Sequence, residues 1–284
     1  MAYTFKPFQE LNITDDYMFG LVMRQEQNVK PFLESVLGRP ILRIQYADVQ
    51  KDIPAAYEMH GVRLDVYIQD EAGKVYDIEM QTTTQKALEK RARYYHSSLD
   101  RWQLEKGTDY PELHDTIVIF ILMSDYFGEG YAMYEPRTTI TAESETRYES
   151  GARTIFLNAD YRIPNADRKV LDFLDYAMAK RSGKTLTIRS DYIQSVDNAV
   201  AKAKMSQIEE VAYMTWKIKL EDERRMGREE GIGIGRSIGR TEGIGIGRTE
   251  GISIGRTEGE RSMLKKLIDA GIISEAQAKT ILQG

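Results

Sequence analysis

Two carboxylates, Asp65 and Glu79, carry the chemistry most readily read from this sequence. Each sits in a short alternating run. Leu64, Val66 and Ile68 alternate with Arg63, Asp65 and Tyr67; Tyr76, Ile78 and Met80 alternate with Asp77, Glu79 and Gln81. A period of two marks a half-buried strand, and the Gly73-bearing stretch from Gln69 to Lys74 between the runs marks a hairpin turn. A hairpin closing around Ala72 sets Asp65 almost opposite Glu79. Adjacent like charges raise one another's pKa unless a cation lies between them. Mg²⁺ takes one or two carboxylates together with water and phosphate oxygens, so the pair predicts a site for one hard divalent ion.

The order of a hairpin Asp, then Glu79, Met80 and Gln81, then a helix, resembles the PD-(D/E)XK nuclease superfamily. There a Lys follows the second carboxylate by two residues; here Gln81 stands in its place. The wider string, Arg63 to Val66, Asp77 to Gln81 and Lys90 to Tyr95, resembles one branch of it, the Rpn family of recombination-promoting nucleases, also described as transposases. The likeness covers roughly residues 12 to 125 and more loosely the tail. It implies an α/β, restriction-endonuclease-like core with a mixed sheet flanked by helices. It implies Mg²⁺, with Mn²⁺ as the substitute, held by Asp65 and Glu79 against a DNA phosphodiester.

The superfamily often adds an acidic residue on the first helix. Asp16 is the candidate here, although a cap residue complementing the helix dipole reads equally well. Gln81 could orient the attacking water or a phosphate oxygen, but it cannot supply the charge of Lys. Arg91 is the first candidate for that charge, then Lys90 or Lys86; Arg91 suits a structural ion pair equally. The expected function is a metal-dependent DNA endonuclease linked to recombination or mobile elements. Two rivals stay open: a DNA-binding protein of the same fold that has lost cleavage, and an assembly module driven by the tail. Gln81 keeps the first rival open, as does Gly20, where the branch would carry a basic residue.

These side chains need elements to position them. Thr14, Asp15 and Asp16 form a helix start before Tyr17 to Met23, and a second helix runs from Asn28 to Leu37, ended by Gly38 and Pro40. Ile41 to Val49 reads as a strand and Lys51 to His60 as a loop. After the Glu79 strand comes a long amphipathic helix ending near Gly107, with Leu88, Ala92, Tyr95, Leu99 and Trp102 on its core face. Lys86, Lys90, Arg93 and Arg101 point outward, and Tyr95 reads as packing. Thr116 to Met123 is apolar on both faces, as a central strand should be. Tyr126 to Arg137 reads as a loop or hairpin arm, Thr138 to Tyr148 and Arg153 to Leu157 as strands, and Asp167 to Lys180 and Asp191 to about Arg225 as helices.

The chain has 284 residues, a net charge of −5 and no cysteine, which excludes disulfides, zinc–thiolate sites and a cysteine nucleophile. His60, His96 and His114 share no ligand spacing, so neither a zinc site nor a Ser-His-Asp hydrolase is indicated. The charge argues against a sticky, non-specific nucleic-acid binder but not against a nuclease. With no export signal and no 18-residue apolar run, a soluble cytoplasmic protein is expected, with no membrane partner.

From Gly227 to Gly259 a glycine recurs at every fourth position, eleven glycines in all, in units such as Gly-Arg-Thr-Glu and Gly-Ile-Gly-Ile. Each glycine costs a helix about 1 kcal/mol relative to Ala, so this segment reads as a flexible spacer that becomes helical on self-association. The predicted organisation is a nuclease-like domain over 1–187, a helical extension over 188–226, the glycine spacer over 227–259 and a small helical hairpin over 260–284, with Ser274 and Gln277 as a capping box. A homo-oligomer joined through the tail is the expected assembly.

Overall fold

The computed structural model describes residues 5–53, 62–83, 86–104, 109–140, 146–276 and 278–279. Its centre is the predicted hairpin. Strand β2 (Val62–Asp70) pairs antiparallel with β3 (Val75–Gln81), Val66 opposite Ile78 and Gln69 opposite Val75. The turn is built by Asp70, whose buried carboxylate accepts the backbone N–H groups of Ala72 at 2.9 Å and Lys74 at 3.0 Å and the Tyr76 hydroxyl at 2.6 Å. Gly73 takes φ 78°, and the His114 ring lies where a Cβ would stand, 2.5 Å away, so only glycine fits.

Strand β1 (Ile44–Ile53) flanks β2 antiparallel along its length, from Ile44 opposite Asp70 to Ile53 opposite Val62. It therefore takes in Lys51 to Ile53, expected as loop; the remainder of that loop lies outside the described residues. On the other side β3 runs parallel to β4 (Thr116–Leu122), and β4 parallel to β8 (Ala152–Asn158). Strand β5 (Met133–Tyr134) closes the far edge antiparallel to β8, giving the order β1-β2-β3-β4-β8-β5. The expected strand from Thr138 to Tyr148 is instead two short pieces, β6 (Thr139–Ile140) and β7 (Thr146–Arg147), paired with each other off the main sheet. This is the mixed α/β sheet that the sequence predicts.

Helix α3 (Leu88–Gln103) links β3 to β4 and covers one face. Leu88, Ala92, Tyr95 and Leu99 pack with Tyr67, Val75, Val118, Phe120 and Phe156. Trp102, expected in that core, is 45 % exposed in the last turn, while His96 and Ser98 are buried instead. His96 is held by the hydroxyls of Thr116 at 2.7 Å and Thr154 at 3.0 Å, and burial lowers its pKa to about 4, so it is a neutral clamp between strands. On the other side lie α1 (Asp16–Met23), α2 (Glu26–Leu37), α4 (Arg168–Ser182) and α5 (Asp191–Lys204), with Phe32 of α2 against Phe173 of α4 at 5.0 Å. Because helices lie on both faces and β3 has a neighbour on each side, every residue of β3 is buried, where the alternation predicted a half-solvated strand.

The expected helix from Asp191 to Arg225 breaks at Met205 and Ser206. The Ser206 hydroxyl accepts the Glu209 N–H at 3.3 Å, capping a new helix, α6 (Gln207–Asp269). By contact the chain divides at Met214, and Thr215 onward forms a second unit. The glycine repeat, expected as a flexible spacer, lies wholly inside α6, and Glu260 to Asp269 continues it rather than starting a separate hairpin. Gly271, φ 71°, follows its end. The Gln277 half of the predicted capping box lies outside the described residues. Among the described residues no helix is long and apolar enough to cross a membrane.

Candidate active site

The hairpin ladder ends at Val66 and Ile78, one step short of Asp65 and Glu79. There the side chains take over from the backbone. The Glu79 Oε1 accepts the Asp65 N–H at 3.1 Å, and the Asp65 Oδ2 accepts the Met80 N–H at 3.0 Å. The two carboxylates thus lie across from each other at the parting end of the hairpin, each satisfying an N–H of the opposite strand. Asp65 Oδ1 accepts no hydrogen bond among the described residues.

Arg91, one turn into α3, reaches down onto the strand. Its Nη2 donates to Glu79 Oε2 at 2.8 Å and its Nη1 to Gln81 Oε1 at 2.9 Å. The Gln81 Nε2 donates in turn to Glu79 Oε2 at 3.3 Å. The Glu79 side chain is 1 % exposed and that of Arg91 31 %, so the cation can be reached from solvent while its partner cannot. Tyr95, four residues on and hence on the same helix face, accepts from Arg91 Nε at 2.8 Å and from Nη2, and directs its own hydroxyl to Glu79 Oε2 at 3.4 Å.

The electrostatics are unbalanced towards negative charge. Burial, then Glu79, then Asp16 hold the Asp65 carboxyl well above its ordinary value, against the Met80 N–H and Arg91. Burial, then Asp77, push Glu79 up in the same way, with Arg91 the main opposing influence. Burial weighs against charge on Arg91, but Glu79 and Tyr95 outweigh it and the guanidinium pKa is raised. Asp77, on the same strand face, is fully buried, and among the described residues neither of its oxygens has a partner within hydrogen-bond geometry; burial and then Asp65 push it well above its ordinary value.

The structure brings Asp65, Glu79, Gln81 and Arg91 together. Asp16, the first residue of α1, is exposed and acts on Asp65 through its charge. Among the described residues no three Asp, Glu or His side chains stand close enough together to hold a metal ion, so Asp16 does not complete a ligand set here. Sequence reasoning missed Asp77 as a member of the buried group, and took Tyr95 as packing alone. Both left a signal: strand parity for Asp77, and the four-residue step from Arg91 for Tyr95.

A carboxylate pair at the parting end of a central hairpin, with a helix laid over a mixed sheet, defines a protein of the PD-(D/E)XK nuclease class. The family model described as PD-(D/E)XK nuclease family transposase matches residues 13–226, and the chain belongs to that family. No curated protein and no solved structure matches it.

Proposed function

We propose that the chain is a metal-dependent DNA endonuclease, hydrolysing phosphodiester bonds in recombination or mobile-element movement in the cytoplasm. Nucleases of this superfamily generally use divalent ions. The observation that carries the reading is the Asp65–Glu79 pair across the parted hairpin, with Asp65 Oδ1 accepting no hydrogen bond among the described residues and Arg91 paired to Glu79. This hard-oxygen set with excess negative charge fits Mg²⁺ or Mn²⁺, held by Asp65 and Glu79 with Asp16 at its edge. A bound ion would lower the pKa of a water and stabilise charge on the phosphate.

The chain's own residues do the rest. Gln81 and Arg91 face the scissile group together: Gln81 orients by hydrogen bonding, and the half-exposed guanidinium supplies the charge that the usual Lys would give. Lys90 and Arg93 stand exposed on α3 and Lys86 stands exposed just before it, and such cations suit a phosphate backbone. Copies associate through the glycine repeat, Gly227 to Gly259, within α6. One observation favours a binding protein without cleavage: Glu79 Oε2 is already occupied by Arg91.

Nicking of supercoiled plasmid with Mg²⁺, Mn²⁺ or EDTA decides between them. Wild type should nick only with metal, and Glu79→Gln, folded by circular dichroism, should not. Equal cleavage by Glu79→Gln would place the chemistry elsewhere; no cleavage by wild type in either metal would leave the binding protein as the reading.

A further inference from the structure

The Tyr95 ring and the Tyr95 hydroxyl have separate work. The ring fills the core, 6.1 Å from Phe120 and among Leu88, Ala92 and Leu99, a place that a phenylalanine would fill equally. The hydroxyl serves Arg91. It takes both Nε–H and an Nη2–H of the guanidinium, while the outer edge of the same fork holds Gln81 and Glu79. Arg91 has a long side chain, partly in solvent, lying 5.0 Å over the Tyr95 ring. Without the hydroxyl its Nε–H loses its partner and the head can swing outward into water.

Resting on the nuclease reading, the geometry points to Tyr95 as the positioning residue of the site: its hydroxyl fixes the guanidinium so that one cation holds both Glu79 and Gln81 in a site that lacks the usual Lys. Lysine carries a point charge on a flexible stem and needs no such clamp; a planar fork does, because its orientation decides which oxygens it meets. The contact to Glu79, at 3.4 Å, ties the clamp to the carboxylate as well.

The test uses the full chain with Tyr95→Phe, Arg91→Ala, the double variant and Leu99→Ala, a core truncation on the same helix that does not touch Arg91. Tyr95→Phe should lower kcat for plasmid nicking about 10²-fold, the cost of slight misplacement, with KM for DNA unchanged. It should add less than about twofold in the Arg91→Ala background, because the two residues act as one unit. Leu99→Ala should leave kcat near wild type below its melting temperature. Side-chain ¹H–¹⁵N spectra should show the Arg91 Nε–H protected from exchange in wild type and unprotected in Tyr95→Phe.

Additive effects in the double variant, or an Nε–H still protected in Tyr95→Phe, would overturn the proposal. The spectrum reads the clamp whether or not DNA is cut, so a wild type without cleavage ends the nuclease reading and leaves the positioning question answerable. Should Tyr95→Phe melt below assay temperature, Arg91→Lys carries the test: it keeps the charge but cannot span Tyr95, Gln81 and Glu79, and wild-type cleavage by it would also overturn the clamp.

Discussion

Neutralising Asp65 should reverse sign with metal. In Asp65→Asn the amide oxygen can still accept the Met80 N–H, so the backbone contact at 3.0 Å is kept. What disappears is the charge facing Glu79 and Asp16. Two carboxylates at cross-strand distance, about 6 Å, repel by about 3 kcal/mol at an effective dielectric of about 20. The weaker Met80 contact made by a neutral amide, and then the lost attraction to Arg91, offset part of this, leaving a gain on the order of 1 kcal/mol, or roughly 2–4 °C in Tm for a domain of this size.

With EDTA the variant should therefore melt above wild type. With Mg²⁺ at a hundredfold excess over Kd, wild type gains about 2.7 kcal/mol, roughly 5–10 °C, and the variant gains almost nothing. The order then inverts. Acidity gives a second reading. Folding raises the Asp65 pKa above its ordinary 3.8, so the wild-type contribution is full below that value and is lost as pH rises through the folded one. The advantage of Asp65→Asn in EDTA should thus shrink as pH falls towards 4, because wild type is then protonated too. The assay is differential scanning fluorimetry of both proteins, with EDTA and with Mg²⁺, from pH 4 to 8. A variant that melts below wild type in EDTA, or equal metal shifts in both proteins, would refute the electrostatic picture of the site.

Gln81→Lys restores the superfamily's usual residue but sets an ammonium where the Gln81 oxygen now meets Arg91 Nη1 at 2.9 Å, so alone it should lower both Tm and nicking; Gln81→Lys with Arg91→Gln should recover nicking by about tenfold or more over the single variant, and failure to recover would show that Arg91 does not stand in for that Lys. In the tail, a Cβ added at Gly235, Gly243 or Gly247 meets nothing within 4 Å, so each Gly→Ala change should stabilise the lone helix by about 1 kcal/mol by circular dichroism. If copies pack backbone to backbone along that seam, the same changes should lower the mass seen in light scattering, and unchanged mass would remove the glycines from assembly.

The hairpin was readable because strand alternation, Asp70 and Gly73 all act within a few residues, and the register that sets Asp65 across from Glu79 follows from the turn alone. What alternation does not carry is whether the polar face meets water. Asp77, Glu79 and Gln81 look alike by period, yet α3 and β4 bury them all, because parallel pairing to Thr116–Leu122 is a contact distant in sequence. That burial changes the chemistry of the site. A solvated Glu79 would need no cation until metal arrived. A buried one needs Arg91, Gln81 and the Asp65 N–H to be held at all. The helix-to-helix break at Ser206 was missed, although the capping-box spacing of Ser206 and Glu209 is its local signal. The glycine helix has no such signal. Its eleven glycines oppose a helix by local propensity, and among the described residues no other part of the chain lies within 4 Å of where their Cβ atoms would stand. A single chain thus gives no reason for glycine at every fourth place, and a second backbone at that seam would.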